Sequence, residues 1–200
     1  MREPFASFVE TELPSAMLLI TCGLPGTWKT ETSEEVSRIK AHPIVRSDLV
    51  RKEVLGNEDI FDEKVASDMD KRMAVYAETF RRAAEALAGG GGVIIDATFV
   101  KQSLRRRAAE IAARYNRPLV ILQTSCPREV SISRILKRTR DKYESNALTE
   151  QAYVNNEKTF EFVDLDELKK LYPSLDIIHL IVDTQCDLLE DWFVTGMVQR

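Results

Sequence analysis

Residues 17–32, MLLITCGLPGTWKTET, constrain what this chain can fold into more than any other stretch. A short continuous run of apolar and β-branched residues enters Cys22, and such a run suits a strand buried on both faces. The loop after it matches the phosphate-binding spacing G-x-x-x-x-G-K-[ST] at Gly23, Lys29 and Thr30, with Trp28 where the second glycine is expected. A strand that ends in a tight loop and feeds a helix N-terminus aims successive backbone N–H groups at one point. The helix dipole adds partial positive charge there. Gly23, Leu24, Pro25, Gly26, Thr27, Trp28, Lys29, Thr30 and Glu31 are therefore expected to cradle a polyphosphate. Lys29 would reach the β- and γ-phosphates, and the Thr30 hydroxyl would ligate Mg²⁺. ETSEEVSRIK continues as a helix with acidic residues early and Lys40 late, as the dipole prefers. The plainer reading is an ordinary strand–turn–helix with a chance lysine.

Trp28 is the departure. The glycine before the lysine usually takes a left-handed backbone conformation, where a residue bearing a Cβ costs ~1–2 kcal/mol. A stability on the order of 5–15 kcal/mol tolerates that. The N–H donor survives, and Lys29 and Thr30 are intact. The expected result is a strained or reshaped loop whose anion binding is weakened rather than abolished.

Two hundred residues suit one globular domain, so residues 1–200 are expected to form a single unit. A net charge of −4 argues against broad electrostatic binding of nucleic acid, though not against a local basic patch. Cys22, Cys126 and Cys186 form no paired pattern, which fits a reducing cytoplasmic setting, and only His42 and His179 are available for a histidine metal site. No apolar segment approaches ~20 residues, so no membrane span is expected. The opening MREPFASFVETELP lacks the apolar core of a signal peptide and reads as a short helix or loop.

Along the chain, PIVRSD reads as a second strand, VIIDATF as a third ending at Asp96, PLVILQTSC as a fourth and DIIHLIVDT as a fifth. Helical patterns lie between them: LVRKEVLG closed by Gly56, residues 64–88 stopped by four glycines, the basic KQSLRRRAAEIAARYNR, and a long mixed-charge segment from 126 with a break near Glu144, Ser145 and Asn146. GNEDIFDE reads as a polar, acidic loop, and CDLLEDWFVTGMVQR as a terminal helix. Strands alternating with helices point to a parallel α/β sheet with helices on both faces, whose ligands bind at the carboxyl ends of the strands.

Other site candidates fall at those ends. Asp48 and Arg51 form D-x-x-R: a carboxylate that could take a proton from an acceptor hydroxyl, and a guanidinium that could hold phosphate. The alternative is a helix cap with a surface arginine. Asp96 could meet Thr30 and Mg²⁺, or merely cap a turn. Arg134, Arg138 and Arg140 could carry positive charge over a transferring phosphate, or be solvated; Arg134 and Arg138 share a helix face. The basic face of 101–117 is most simply a wet helix surface, with nucleic acid as the alternative.

Taken together, these motifs resemble the P-loop kinases of the group holding predicted AAA-type kinases, zeta-toxin-like kinases and the kinase domain of phage polynucleotide kinase. GLPGTWKT resembles the opening loop except at Trp28, and RSDLVRKEVLG the D-x-x-R element. IIDATFVKQSLRRRAAEIAARYNRPLVIL is similar to the third-strand, helix and fourth-strand block. CPREVSISRILKRTR resembles the lid helix, IVDTQCDLLED the closing strand and base-proximal turn, and SNA at 145–147 departs slightly from an SDA-like step. The resemblance implies a five-stranded parallel sheet in order 2-3-1-4-5 with helices on both faces and a helical lid at about 127–160. It further implies transfer of phosphate from ATP, with Mg²⁺, to a hydroxyl. It places a general-base role on Asp48, phosphate holding on Arg51, metal binding on Asp96, and lid roles on Arg134 and Arg138.

The acidic stretch 57–70 makes a long polyanion an awkward guest, so a small-molecule acceptor is favoured over a nucleic-acid end. The rival reading is a nucleotide-binding or interaction module that kept the kinase fold and lost turnover, and Trp28 is its whole case.

Overall fold

The computed structural model describes residues 1–56, 58, 65, 68–138 and 147–200. β1 (Glu3–Pro4) and α1 (Phe5–Glu12) precede β2 (Leu18–Cys22), which feeds α2 (Lys29–Lys40) through the glycine-containing loop. β3 (Ile44–Arg46) runs directly into α3 (Ser47–Leu55). α4 (Met69–Ala88), β4 (Val93–Asp96), α5 (Gln102–Arg114), β5 (Leu119–Ser125), α6 (Arg128–Leu136), α7 (Glu150–Thr159) and α8 (Leu165–Leu171) follow. β6 (Ile177–Asp183), a short 3-10 helix (Leu189–Asp191) and β7 (Phe193–Gln199) complete the order. GNEDIFDE apart from Gly56 and Glu58, the break near Glu144, Ser145 and Asn146, and Arg140 lie outside the described residues.

The expected five-stranded sheet is corrected to seven strands, in order β1-β7-β6-β5-β2-β4-β3. Within it β3-β4-β2-β5-β6 are parallel, with β2 hydrogen-bonded between β4 and β5. β7 adds antiparallel to β6, and β1 antiparallel to β7. The terminal helix expected for CDLLEDWFVTGMVQR is likewise corrected, to the 3-10 helix and β7. Phe193, Val194, Thr195 and Val198 are aromatic or β-branched types that suit a pleated surface, and Val194 is fully buried there.

All five residues of β2 are buried, as its apolar run requires. Leu18, Ile20 and Cys22 face a core formed with Tyr76, Phe80 and Leu87 of α4 and Ala108, Ala109 and Ala112 of α5. Met17 and Leu19 face the opposite core with Phe5, Phe8 and Val9 of α1, Val36 of α2, and Trp192. Helices thus cover both faces, and the strand is clamped from each side. Truncating Ile20 to alanine would cost about 2–5 kcal/mol and loosen the residues that carry Gly23. The carboxyl ends of the parallel strands therefore form a rigid rim on which the site is built.

Candidate active site

Three positive φ angles shape the loop between β2 and α2: Gly23 at 138°, Gly26 at 80° and Trp28 at 57°. A Cβ on Gly23 would lie 2.8 Å from the Thr124 carbonyl oxygen, and one on Gly26 would strike that of Ser131, so space as well as conformation demands glycine at both. Trp28 has the left-handed backbone (φ 57°, ψ 37°) at the N-cap of α2. Its indole packs against the core under α1, and the Arg134 guanidinium carbon lies 4.7 Å from a ring centroid. A cation–π contact of about 0.5–2 kcal/mol is of the same size as the ~1–2 kcal/mol left-handed cost, so the contact offsets the strain locally.

Hydroxyls hold the loop from beneath. Thr27 Oγ1 donates to the Leu24 carbonyl at 2.8 Å and lies 2.6 Å from Thr124 Oγ1, while Thr184 Oγ1 donates to the Thr27 carbonyl at 3.0 Å. Gly23 N–H donates to the Thr98 carbonyl at 3.2 Å. Lys29 Nζ donates to the Leu24 carbonyl at 2.6 Å. Burial pulls the Lys29 amine down to about 8, against the field of Asp96. Burial also pushes the Glu31 carboxyl, one turn into α2, above its usual range.

Asp96, at the end of β4, is buried. Its Oδ2 accepts the Thr30 hydroxyl at 2.7 Å, and its Oδ1 that of Thr21 at 3.3 Å. Arg46, level with Asp96 across the β3–β4 pair, places Nε 3.8 Å from the same Oδ2. Thr30 and Asp96 together offer hard oxygen donors at one point, which fits Mg²⁺. That ion asks for one or two protein carboxylates and keeps waters and substrate oxygens for the rest.

Asp48 sits in the first turn of α3. Burial pushes its carboxyl up to about 6 and Asp96 acts in the same sense, while Arg51, Lys29 and Arg138 oppose them. Asp48, Asp96, Lys29, Arg51 and Arg138 therefore share one electrostatic neighbourhood. Arg51 Nε and Nη1 are buried without an acceptor among the described residues. Arg138 donates from Nη1 to the Ala147 carbonyl at 3.3 Å, and its field reaches Lys29, Glu31 and Asp48.

Arg134 lies elsewhere than expected. It is buried, with Nε and Nη2 on Asp187 Oδ1 at 3.0 and 2.8 Å. Nη2 also donates to the Gln185 and Cys186 carbonyls at 2.8 and 3.2 Å, and Nη1 to the Gly26 carbonyl at 3.3 Å. The donors of Arg134, expected on a lid over the phosphate, face protein acceptors beneath the loop in this structure, and its π face meets Trp28. The pairing holds the Asp187 carboxyl below the usual carboxylate range.

The profile of the family described as "AAA domain" matches residues 18–163. The chain belongs to that family. Its fold is that of solved kinases. A candidate kinase of Chloroflexus aurantiacus is 18% identical with a TM-score of 0.62, covering 86% of this chain and 90% of its own. A gluconokinase of Sinorhizobium meliloti is 17% identical with a TM-score of 0.56, covering 88% and 87%. A sugar kinase of Janibacter sp. is 16% identical with a TM-score of 0.57, covering 83% and 85%. Uncharacterized proteins of Mycobacterium tuberculosis and Mycobacterium bovis are 28% identical over 127 residues, 60% of this chain. The chain spans about a quarter of the length of these curated relatives.

Several residues of this AAA domain carried no sequence signal. Thr21, Thr124, Thr184 and Asp187 lie in stretches read as strands or turns, and nothing in their local pattern set them apart as site residues; Arg46 could have been found from its place beside Ser47 and Asp48 once β3 was paired with β4. The basic face of α5 is occupied by ion pairs: Arg106 with Glu167 at 3.6 Å, Arg107 with Glu110 at 2.7 Å and Arg114 with Glu110 at 3.2 Å. Lys101 pairs with Glu161 at 3.0 Å, and Arg105 is buried on the carbonyls of Glu161 and Phe162. Among the described residues no helix is long and apolar enough to cross a membrane.

Proposed function

We propose that this AAA domain is a kinase that transfers the γ-phosphoryl group of ATP to a hydroxyl of a small molecule, acting as one domain with residues 127–160 as its lid. The observation that carries this reading is the convergence of Lys29, Thr30, Asp96 and Asp48 at the ends of β2, β3 and β4, with Thr30 and Asp96 already hydrogen-bonded at 2.7 Å. The loop amides and Lys29 hold the phosphates, and Thr30 with Asp96 would hold Mg²⁺. When bound, the ion neutralises charge that develops between the β- and γ-phosphates.

Asp48 takes the proton from the acceptor oxygen. Its carboxyl at about 6 leaves it mostly ionised at neutral pH, yet more basic than an ordinary aspartate. Arg51 offers its two unused donor atoms to an equatorial phosphoryl oxygen, and Arg138 adds charge from the end of α6. Arg134 is a positioning residue that keeps the Gly26 and Trp28 backbone in place. A small acceptor is favoured because the basic face of α5 is taken up by ion pairs, and because the neighbours named gluconokinase and sugar kinase share the fold.

The test is γ-labelled ATP offered to pooled metabolites and, separately, to 5′-hydroxyl oligonucleotides. Label is expected on a small molecule and lost with Asp48→Asn. Label on the oligonucleotides alone would overturn the acceptor class, and no label anywhere would overturn the kinase reading.

A further inference from the structure

One ion pair at the site has no part in the chemistry above. Arg46 closes β3 and lies level with Asp96 across the parallel pair. Its Nε stands 3.8 Å from Asp96 Oδ2, the oxygen that also accepts the Thr30 hydroxyl at 2.7 Å. Its Nη1 stands 3.4 Å from Glu34 Oε1, on the first turns of α2. The Asp96 side chain is 8% exposed and that of Glu34 55%, so one guanidinium bridges a buried carboxylate and an open one.

Resting on the reading that Thr30 and Asp96 take Mg²⁺, we propose that Arg46 is the resident counter-cation of Asp96. It orients and neutralises that carboxylate while no divalent cation is bound, and moves toward Glu34 when one arrives. A buried carboxylate whose charge is met only by the Thr30 and Thr21 hydroxyls is costly, which accounts for a positive partner in the empty state. Two positive centres on one carboxylate oxygen repel, which accounts for the exchange, and Glu34 supplies a second anchor within reach. Arg46 therefore sets metal affinity from outside the coordination shell.

The test is Mn²⁺ binding to the nucleotide-free chain, followed by electron paramagnetic resonance, alongside melting temperatures with and without Mn²⁺. Arg46→Met is expected to tighten Mn²⁺ by about three- to tenfold, and to melt earlier in a way that Mn²⁺ largely reverses. Arg46→Lys, which keeps the charge, stays within about twofold of wild type. Glu34→Gln weakens Mn²⁺, and does so much less in the Arg46→Met background. An unchanged Kd in Arg46→Met, with an equal loss of melting temperature at either Mn²⁺ level, would make Arg46 merely structural and overturn the inference. Weaker Mn²⁺ binding in that variant would overturn it as well. Equal uptake by wild type and Asp96→Asn would instead sink the metal site itself, so the two failures are distinguishable.

Discussion

The phosphate loop and the corner formed by β3 and α3 face the same point and are finished to different degrees. In and beneath the loop, four side chains already have protein partners: Lys29 on Leu24, Thr27 beside Thr124, Thr30 on Asp96, and Arg134 on five acceptor atoms of the surrounding chain, Cys126 Sγ among them, while the Trp28 indole N–H is buried without an acceptor among the described residues. In the corner, Arg51 keeps two buried donor atoms without an acceptor among the described residues, and Asp48 is held away from its ordinary proton affinity. A cradle whose bonds are already made is preorganised for one class of anion. A corner with buried donors unused is complete only with a substrate in place. On this account donor specificity is built into the backbone, whereas acceptor specificity waits on the ligand.

The largest expected effect tests the loop. Lys29→Met should lower kcat by roughly 10²–10³-fold, since it removes a charge aimed at the transferring phosphoryl group. Its melting temperature should not fall, because burial already disfavours the Lys29 charge. A variant that unfolds while retaining turnover would reverse the roles given to loop and corner.

Asp48→Asn tests the corner, with an expected loss of roughly 10²–10⁴-fold in kcat. The folded carboxyl is raised from 3.8 to about 6, so its contribution to stability is full below pH 4 and is lost as pH rises through 6. The Asn variant should therefore gain on wild type across that window, by at most about 3 kcal/mol, and hold the gain above it. In kcat/KM, wild type should show a bell with limbs near the Asp48 and Lys29 values of about 6 and about 8. Persistence of the acidic limb in the Asn variant would show that another group is the base.

A smaller effect comes from the brace. Arg134→Leu should cost about 1–3 kcal/mol in urea unfolding, since it leaves the Gly26 carbonyl without its Arg134 donor and Trp28 without its cation. KM for ATP should rise more than kcat falls, because the residue positions the loop and touches no reacting atom. A kcat defect at unchanged KM would return Arg134 to the catalytic set.

Much of the site was legible where chemistry and chain neighbours coincide. Lys29 and Thr30 are adjacent to the loop they serve, and the short, largely apolar run of β2 suits a central strand buried on both faces. Asp96 follows from the next such strand. Arg134 was visible as an arginine but not in its role, because its acceptors at 185–187 lie some fifty residues away. Nothing local encodes that meeting. β7 was missed because LLEDW mimics helical spacing just before FVTGMV turns to strand types. Its pairing with β6 is a tertiary fact.

Titration calorimetry of Mg-ATP against wild type and Trp28→Gly is the most direct test of the claim that a left-handed tryptophan leaves the phosphate cradle intact. Because Trp28 already has the backbone that glycine would take, the two proteins should bind with Kd values within about tenfold of each other. Binding by the glycine variant alone, or by neither protein, would contradict that claim.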